Sequence, residues 1–133
     1  MRDLCLMIML VLSFSAGAQT MRDKSGIKTG EAEKNGTFLD RSGIRSGSAD
    51  SDGTFRDKSG IKIGSYESGT FRDKSGIKIG SLETDGTVRD KSGTKIGTIE
   101  KDGTVRDRSG IKIGSAEGIS KEWAAARFFF FDL

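Results

Sequence analysis

The sequence predicts an all-β fold, a repeat-built antiparallel meander of short hairpins closed into a ring. Three observations lead to this prediction. A unit of 17 residues occurs six times, each unit carries two glycine-containing turn signals, and apolar residues alternate with polar ones between the turns. The equivalent aspartates are separated by 17, 17, 16, 17 and 17 residues, and they are Asp23, Asp40, Asp57, Asp73, Asp90 and Asp107.

The unit at residues 53–69 shows how the repeat predicts strands and turns. Residues 54–57 (TFRD) alternate polar and apolar side chains, and residues 57–60 (DKSG) are typical of a type I turn followed by a glycine bulge. Ile61 and Ile63 resume the alternation, so we expect both to face the core. Sister units end in Asp-Gly, which predicts a two-residue hairpin turn.

Two tight turns in each unit leave no room for a crossover helix, so neighbouring strands are expected to be antiparallel. About twelve short strands follow, and a sheet of that length seldom stays open and flat. Closure into a ring would remove the exposed edges. An open β-solenoid of stacked hairpins is the alternative architecture.

Three positions of the unit are expected to form the core, because each is mostly apolar in the six copies. The first is Met21, Phe38, Phe55, Phe71, Val88 and Val105. The second is Ile27, Ile44, Ile61, Ile77, Thr94 and Ile111. The third is Thr29, Ser46, Ile63, Ile79, Ile96 and Ile113.

A glycine recurs inside the second strand of every unit. Its six copies are Gly30, Gly47, Gly64, Gly80, Gly97 and Gly114. A glycine inside a strand indicates a bulge, a bend or a close backbone approach. At one register in all copies, it predicts either a bend that builds curvature or crowding near a symmetry axis.

Residues 1–18 have the order of a secretory signal peptide: Arg2, an uncharged apolar run at residues 4–12, then Ala16-Gly17-Ala18. We expect cleavage near Ala18-Gln19 and a location in the secreted fraction, the periplasm or the cell envelope. The apolar run is too short to span a bilayer, so no membrane span is expected in the mature chain. Residues 19–118 then form the hairpin repeat domain, and residues 119–133 form an apolar tail.

Composition argues against several function classes. The mature chain contains neither Cys nor His, since the only cysteine, Cys5, lies in the leader. Identical repeats give each Asp a similar environment, whereas acid–base catalysis needs carboxylates in distinct ones. The 21 basic and 18 acidic residues of the mature chain alternate, unlike the basic face of a nucleic-acid binder. We expect no enzyme, no cofactor, no metal and no nucleic-acid partner.

The tail breaks the repeat. Ser120 is a candidate N-cap, and residues 121–131 (KEWAAARFFFF) predict either a short helix followed by a buried strand or one helix of about three turns. Four consecutive phenylalanines must be buried somewhere. One interpretation is that they plug the core of the ring. The other is a docking surface for a second copy, a protein partner or a membrane, formed by Trp123, Phe128, Phe129, Phe130 and Phe131.

The unit GTxRDxSGxKIGxxExDG, the leader and the terminal WAAARFFFF (residues 123–131) together resemble the 5-fold beta-flower proteins. That resemblance covers the mature chain and implies small secreted proteins of Gram-negative gut bacteria with a five-fold pseudo-symmetric all-β flower and no established activity. The six copies contain five complete hairpins around the turns that end at Gly36, Gly53, Gly69, Gly86 and Gly103. We therefore expect the leftover end strands, residues 20–23 and 111–116, to meet and close the ring.

The function predicted is that of a secreted or envelope-associated structural or interaction protein. The alternative is a binding module for an envelope glycan or a small ligand at the rim or axis of the ring. The repeated Asp residues are expected to cap turns, with Arg and Lys in exposed cross-strand ion pairs. A calcium loop at Asp50, Asp52 and Asp57 is a weaker hypothesis, because the turn already explains Asp-Gly and Lys101 in a sister turn would oppose a cation.

Overall fold

The computed structural model describes residues 19–131 and 133, which form a closed antiparallel barrel of twelve strands. The predicted all-β ring is confirmed. The strands are Thr20–Asp23 (β1), Lys28–Ala32 (β2), Thr37–Asp40 (β3), Arg45–Ala49 (β4), Thr54–Asp57 (β5), Lys62–Glu67 (β6), Thr70–Asp73 (β7), Lys78–Leu82 (β8), Thr87–Asp90 (β9), Lys95–Ile99 (β10), Thr104–Asp107 (β11) and Lys112–Glu117 (β12). An α-helix, Lys121–Ala125 (α1), continues into a π-helical segment, Ala126–Phe130.

The barrel closes between its first and last strands. β1 pairs with β12 in antiparallel register, with Thr20 opposite Glu117 and Met21 opposite Ala116. Every other pair joins strands that are consecutive in the chain. The expected meeting of the two end segments is therefore confirmed. The five complete hairpins occupy five places around one rim, and the β12–β1 pair occupies the sixth.

The Asp-x-Ser-Gly turns all lie at one rim and share one geometry. In the copy between β5 and β6, the Asp57 carboxylate accepts hydrogen bonds from the backbone N–H groups of Ser59 (2.8 Å) and Ile61 (3.0 Å). Gly60 has φ of 86° and donates its N–H to the Asp57 carbonyl at 3.0 Å. This is the type I turn with a glycine bulge that the sequence predicts. The rim formed by these turns carries the repeated isoleucines and is called the isoleucine rim. It consists of residues 23–28, 40–45, 57–62, 73–78, 90–95 and 107–112.

The turns at the opposite rim are longer than predicted. In the β8–β9 turn, Gly86 donates to the Glu83 carbonyl at 2.9 Å, and the Asp85 carboxylate accepts from the Thr87 N–H at 2.9 Å. The extra residue lets the aspartate carboxylate accept a hydrogen bond from the backbone N–H two residues later, which a two-residue turn would not allow. Only the β6–β7 turn has the predicted two residues, Ser68 and Gly69, with φ of 50° and 87°. This shorter turn accounts for the single spacing of 16.

The lumen of the barrel contains two of the three predicted core positions. The first set, Met21 with Phe38, Phe55, Phe71, Val88 and Val105, is at most 2% exposed. The third set is partly buried, and its isoleucines pack against the core. A further set near the opposite rim, unassigned from the sequence, is Ala32, Ala49, Tyr66, Leu82, Ile99 and Ala116.

The prediction that the second set faces the core is wrong. Its isoleucines are exposed: Ile27 by 57%, Ile44 by 65%, and Ile61, Ile77 and Ile111 by 62% each. The residue follows the bulge glycine and closes the turn before the next strand begins, so the two-residue alternation does not reach it. Ile61 and Ile63 therefore lie in different environments.

The predicted signal peptide, residues 1–18, lies outside the described residues. Within residues 19–131 and 133, no helix has the length and apolar character needed to cross a membrane.

Candidate functional site

The tail runs into the lumen of the barrel. The Ser120 side chain accepts a hydrogen bond from the Trp123 N–H at 3.4 Å and caps α1, as predicted. Behind it, Ala124, Ala125 and Ala126 are fully buried. The Trp123 ring lies edge-on to Phe38, with ring centroids 5.6 Å apart. The helical segment is continuous from α1 through Phe130, which favours one helix over a helix and a strand.

Each phenylalanine of the tail faces one mid-strand glycine. A Cβ atom at the glycine would meet the ring, and the pairs are Phe128 with Gly114, Phe129 with Gly97, Phe130 with Gly80 and Phe131 with Gly64; Leu133 faces Gly47. Successive tail residues thus meet β12, β10, β8 and β6 in turn. A π-helical segment has more residues per turn than an α-helix, so its side chains are separated by less than about 100° and can follow neighbouring hairpins.

The same glycines are also pressed by the backbone. A Cβ atom at Gly80 would lie 2.6 Å from the carbonyl oxygen of Arg89, and one at Gly30 would lie 2.5 Å from that of Leu39. The equivalent carbonyl approaches all six glycines. Close approach of backbone and tail, more than a bend, therefore explains the repeated glycine.

The arginines on the strands lie on the outer wall and connect the two rims. Arg89 donates from one guanidinium nitrogen to the Gly93 carbonyl (3.0 Å), and its Nε lies 3.0 Å from a Glu83 carboxylate oxygen. Arg56 and Arg106 are arranged in the same way. The pairs are exposed and each contributes less than about 1 kcal/mol. In the described part of the chain, the turn lysines form no comparable ion pair.

The two rims differ in charge. The isoleucine rim holds twelve Lys or Arg and six Asp, a balance of +6. The opposite rim holds nine Asp or Glu and two Lys, a balance of −7, and is called the acidic rim. It consists of residues 33–36, 50–53, 67–69, 83–86, 100–103 and 117. The interleaved charges of the sequence are thus separated by the fold, because the two kinds of turn lie at opposite ends of the strands.

Three residues that depart from the repeat pattern lie around one cleft on the acidic rim. A cleft of about 700 Å³ lies between the start of α1 and the turns flanking β5 and β6. Its lining includes Trp123, the only tryptophan, Tyr66, the only tyrosine, and Ser68, the only described residue other than glycine with positive φ. Burial, followed by the negative charge of Glu122, raises the pKa of the Tyr66 phenol. Because folding of the repeat does not require these departures, the cleft is a candidate binding site.

The three aspartates of the calcium hypothesis do not come together. Asp50 and Asp52 lie on the acidic rim, where Asp50 pairs with Arg56 at 3.0 Å and Asp52 accepts from the Thr54 N–H at 3.0 Å. Asp57 lies at the isoleucine rim, across the length of β5. Among the described residues, no group of three carboxylates is arranged to hold a metal ion.

The residues predicted as a partner surface have different positions. Trp123 lines the acidic-rim cleft, while Phe130 and Phe131 pack in the lumen against Phe71 (4.6 Å between centroids) and Phe55 (5.2 Å). All five predicted residues are partly buried. The exposed isoleucines were missed as a surface because alternation assigned them to the core. Thr94 in the fifth copy is the one sequence signal that this position tolerates a polar side chain.

A closed barrel of short antiparallel hairpins, filled by its own C-terminal segment, defines a repeat-built all-β protein. The model of the 5-fold beta-flower protein family matches residues 18–132, so the chain belongs to that family. Comparisons with curated proteins and with solved structures found no match.

Proposed function

We propose that this chain is a non-enzymatic interaction protein, secreted or associated with the cell envelope, that acts through its exposed isoleucine rim. The observation that carries the proposal is that five large apolar side chains are exposed at one rim, while the repeated Asp and Gly residues have folding roles. The Asp carboxylates of the rim accept backbone hydrogen bonds, and the glycines accommodate neighbouring backbone and tail. Large apolar side chains exposed repeatedly along one rim are a candidate interaction surface.

The lumen supports the same proposal, because the tail occupies it. Fully buried Ala124–Ala126 and the phenylalanine rings fill the axis, which leaves the rims and the outer wall as the available surfaces, and the exposed isoleucines lie on a rim. The leader-like order of residues 1–18 is the reason for proposing export. N-terminal sequencing of protein recovered from fractionated cells tests export. Recovery beginning at Gln19, outside the cytoplasm, is expected; an uncleaved cytoplasmic product would contradict it.

Sedimentation with isolated Gram-negative cell envelopes tests the isoleucine rim. The test variant replaces Ile27, Ile44, Ile61, Ile77 and Ile111 with Thr, the residue that Thr94 already provides in the same turn. Thr94 donates its N–H to Asp90 at 3.0 Å, as the isoleucines do to their aspartates, so the turn is preserved. We expect the wild-type protein to sediment with envelopes and the variant to remain in solution at unchanged melting temperature. Equal sedimentation of both would contradict the proposal.

The acidic-rim cleft favours a second candidate function, a binding module for a glycan or a small ligand. Tyr66 and Trp123 supply aromatic surface beside the carboxylates of Glu67 and Glu122, a combination suited to a polyhydroxylated ligand. Calorimetry with envelope glycans provides the test. Tyr66→Leu should abolish the heat of binding without unfolding the protein, because β8 carries Leu82 at the sister position. Ile99→Leu, at the sister position on β10, is the control.

A further inference from the structure

The repeated turns place an apolar side chain and a basic side chain side by side around the isoleucine rim. Each exposed isoleucine is followed by a Lys or Arg that begins the next strand, and it is preceded in the turn by another. The turn residues are Lys24, Arg41, Lys58, Lys74, Lys91 and Arg108, and the strand residues are Lys28, Arg45, Lys62, Lys78, Lys95 and Lys112. All six turn residues are exposed.

The isoleucine side chains are not required by the turn. The turn uses only the backbone of this residue: in the fifth copy the Thr94 carbonyl accepts from the Asp90 N–H at 2.9 Å, as the Ile61 carbonyl does from Asp57. Exposed large apolar side chains that the fold does not require are candidates for contact with a partner. Their repetition at equivalent positions of a closed ring brings them to one level, as a flat surface would require.

The six aspartates reduce the positive charge of the rim only in part. Each carboxylate accepts two backbone N–H groups of its own turn, as Asp73 does from Ser75 (2.8 Å) and Ile77 (3.0 Å). The turn lysines extend from the same loops with their ammonium groups in solvent. The partner of this rim must therefore be both anionic and able to accept apolar side chains.

We propose that the isoleucine rim binds the surface of an anionic lipid bilayer, an inference that rests on the proposed interaction function and names its partner. The isoleucines enter the boundary between headgroups and acyl chains, and the Lys and Arg side chains reach lipid phosphates. The alternating apolar and basic side chains match the two layers of such a surface. The acidic rim, with its balance of −7, faces away from it.

Two other anionic partners fit less well. The acidic rim of a second copy has the complementary charge, but among the described residues the exposed large apolar side chains all lie on the isoleucine rim. Stacking of two copies would leave five isoleucines against polar turns. An anionic polysaccharide offers charge without an apolar layer.

Vesicle sedimentation of the folded protein tests the inference. Vesicles of phosphatidylcholine alone are compared with vesicles that also contain phosphatidylglycerol, at low and high salt. We expect binding to the anionic vesicles only, weakened by salt. The variant with all five Ile→Thr substitutions should partition into anionic vesicles at least about tenfold more weakly than the wild type. Partitioning of Lys58→Gln/Lys74→Gln should be weakened by a similar factor.

The matched control removes two positive charges from the acidic rim. Lys34→Gln/Lys101→Gln should partition into anionic vesicles like the wild type, because both lysines lie at the far rim. Melting temperatures of all variants should agree, since these side chains are exposed. A control variant that loses as much binding as Lys58→Gln/Lys74→Gln would overturn the inference.

The outcomes separate the inference from the proposed function. No binding to anionic vesicles, with envelope sedimentation that still depends on the isoleucines, overturns the lipid inference and retains the interaction function. Concentration-dependent self-association that the Ile→Thr variant abolishes, without vesicle binding, identifies a second copy as the occupant and also overturns it. Envelope sedimentation unaffected by the Ile→Thr change contradicts the proposed function itself.

Discussion

The ring of Phe130 lies against the α-carbon of Gly80, in the space that a side chain at position 80 would occupy. Phe130 also packs on Phe71, with ring centroids 4.6 Å apart. A residue of the repeat and a residue outside it therefore share one packing site. Because the glycine has no side chain, it leaves the space that the tail fills, and the tail supplies the apolar surface that the glycine lacks.

Gly80→Ala and Phe130→Ala should be coupled. Phe130→Ala is expected to cost about 3 kcal/mol of unfolding free energy through the cavity that it leaves. Gly80→Ala should cost less in the Phe130→Ala background, because the methyl group then meets only the Arg89 carbonyl and no ring. Urea denaturation of the four proteins should give a coupling free energy of about 0.5–3 kcal/mol.

The control for this cycle is Gly30→Ala. Among the described residues, the atoms nearest to a Cβ there are the Leu39 carbonyl oxygen at 2.5 Å and the end of the Met21 side chain, and none of them belongs to the tail. Its free-energy cost should add to that of Phe130→Ala. Additive costs for Gly80→Ala as well would show that the ring does not occupy the proposed place.

The Asp turn predicts a difference between Ala and Asn at position 57. Asp57→Ala removes the acceptor of the Ser59 and Ile61 N–H groups and should lower the unfolding free energy by about 1 kcal/mol. Asp57→Asn keeps a side-chain oxygen, as Asn35 does for the Thr37 N–H in another turn, and should cost less than half as much. Denaturation midpoints would compare them. Equal losses would indicate that charge, not acceptance, matters.

Stability should fall in acid through the acidic-rim aspartates. Hydrogen bonds from the backbone N–H groups of Thr54, Thr87 and Thr104 hold the pKa values of Asp52, Asp85 and Asp102 below their ordinary value of 3.8. A carboxyl whose pKa is lower in the folded state contributes stability above the unfolded pKa. That contribution is lost as the pH falls through the folded pKa.

The melting temperature should therefore decline as the pH falls below about 4. The variant Asp52→Asn/Asp85→Asn/Asp102→Asn keeps the acceptors but removes the titrating groups, so its decline should be shallower. Glu67→Gln, which removes an exposed carboxyl outside such a turn, is the control and should follow the wild type. A triple variant with the full acid decline would contradict this origin.

Closure of the barrel predicts that β1 and β12 are protected like interior strands. Their mutual pairing leaves neither as a free edge, so their hydrogen-bonded amides should exchange with deuterium as slowly as those of the β7–β8 hairpin. Hydrogen exchange followed by NMR measures this directly. Exchange of the β1 amides at the rate of an unstructured chain would contradict closure.

Much of the barrel could be predicted from local chemistry. The aspartate and glycine of each Asp-x-Ser-Gly turn specify its geometry, and tight turns at both ends require antiparallel neighbours. Closure could be predicted from the number of hairpins, because five complete hairpins leave the first and the last strand unpaired. The lining by Phe38 and its sister residues followed from alternation, which holds within a strand.

The error arose where alternation ends, and alternatives stayed open where distant segments meet. Ile61 lies just beyond a bulge, so its orientation is set by the turn and not by the strand. The mid-strand Gly80 is consistent with either a bend or crowding near the axis, and the repeat does not decide between them because its partner Phe130 is 50 residues away in the chain. A pattern within one repeat contains no information about the segment that fills the lumen.

The matching of tail to glycines has a consequence for how such a chain can evolve. Repeat proteins commonly gain or lose whole units, because each unit contacts only its neighbours. Here Phe128–Phe131 and Leu133 are assigned to particular hairpins. A duplicated unit would widen the barrel and add another glycine that, like Gly30, no described tail residue faces, whereas a deleted unit would crowd the aromatic rings. The tail thus restricts the number of repeats in the barrel. A duplication or deletion of a hairpin would need a compensating change in the phenylalanine run.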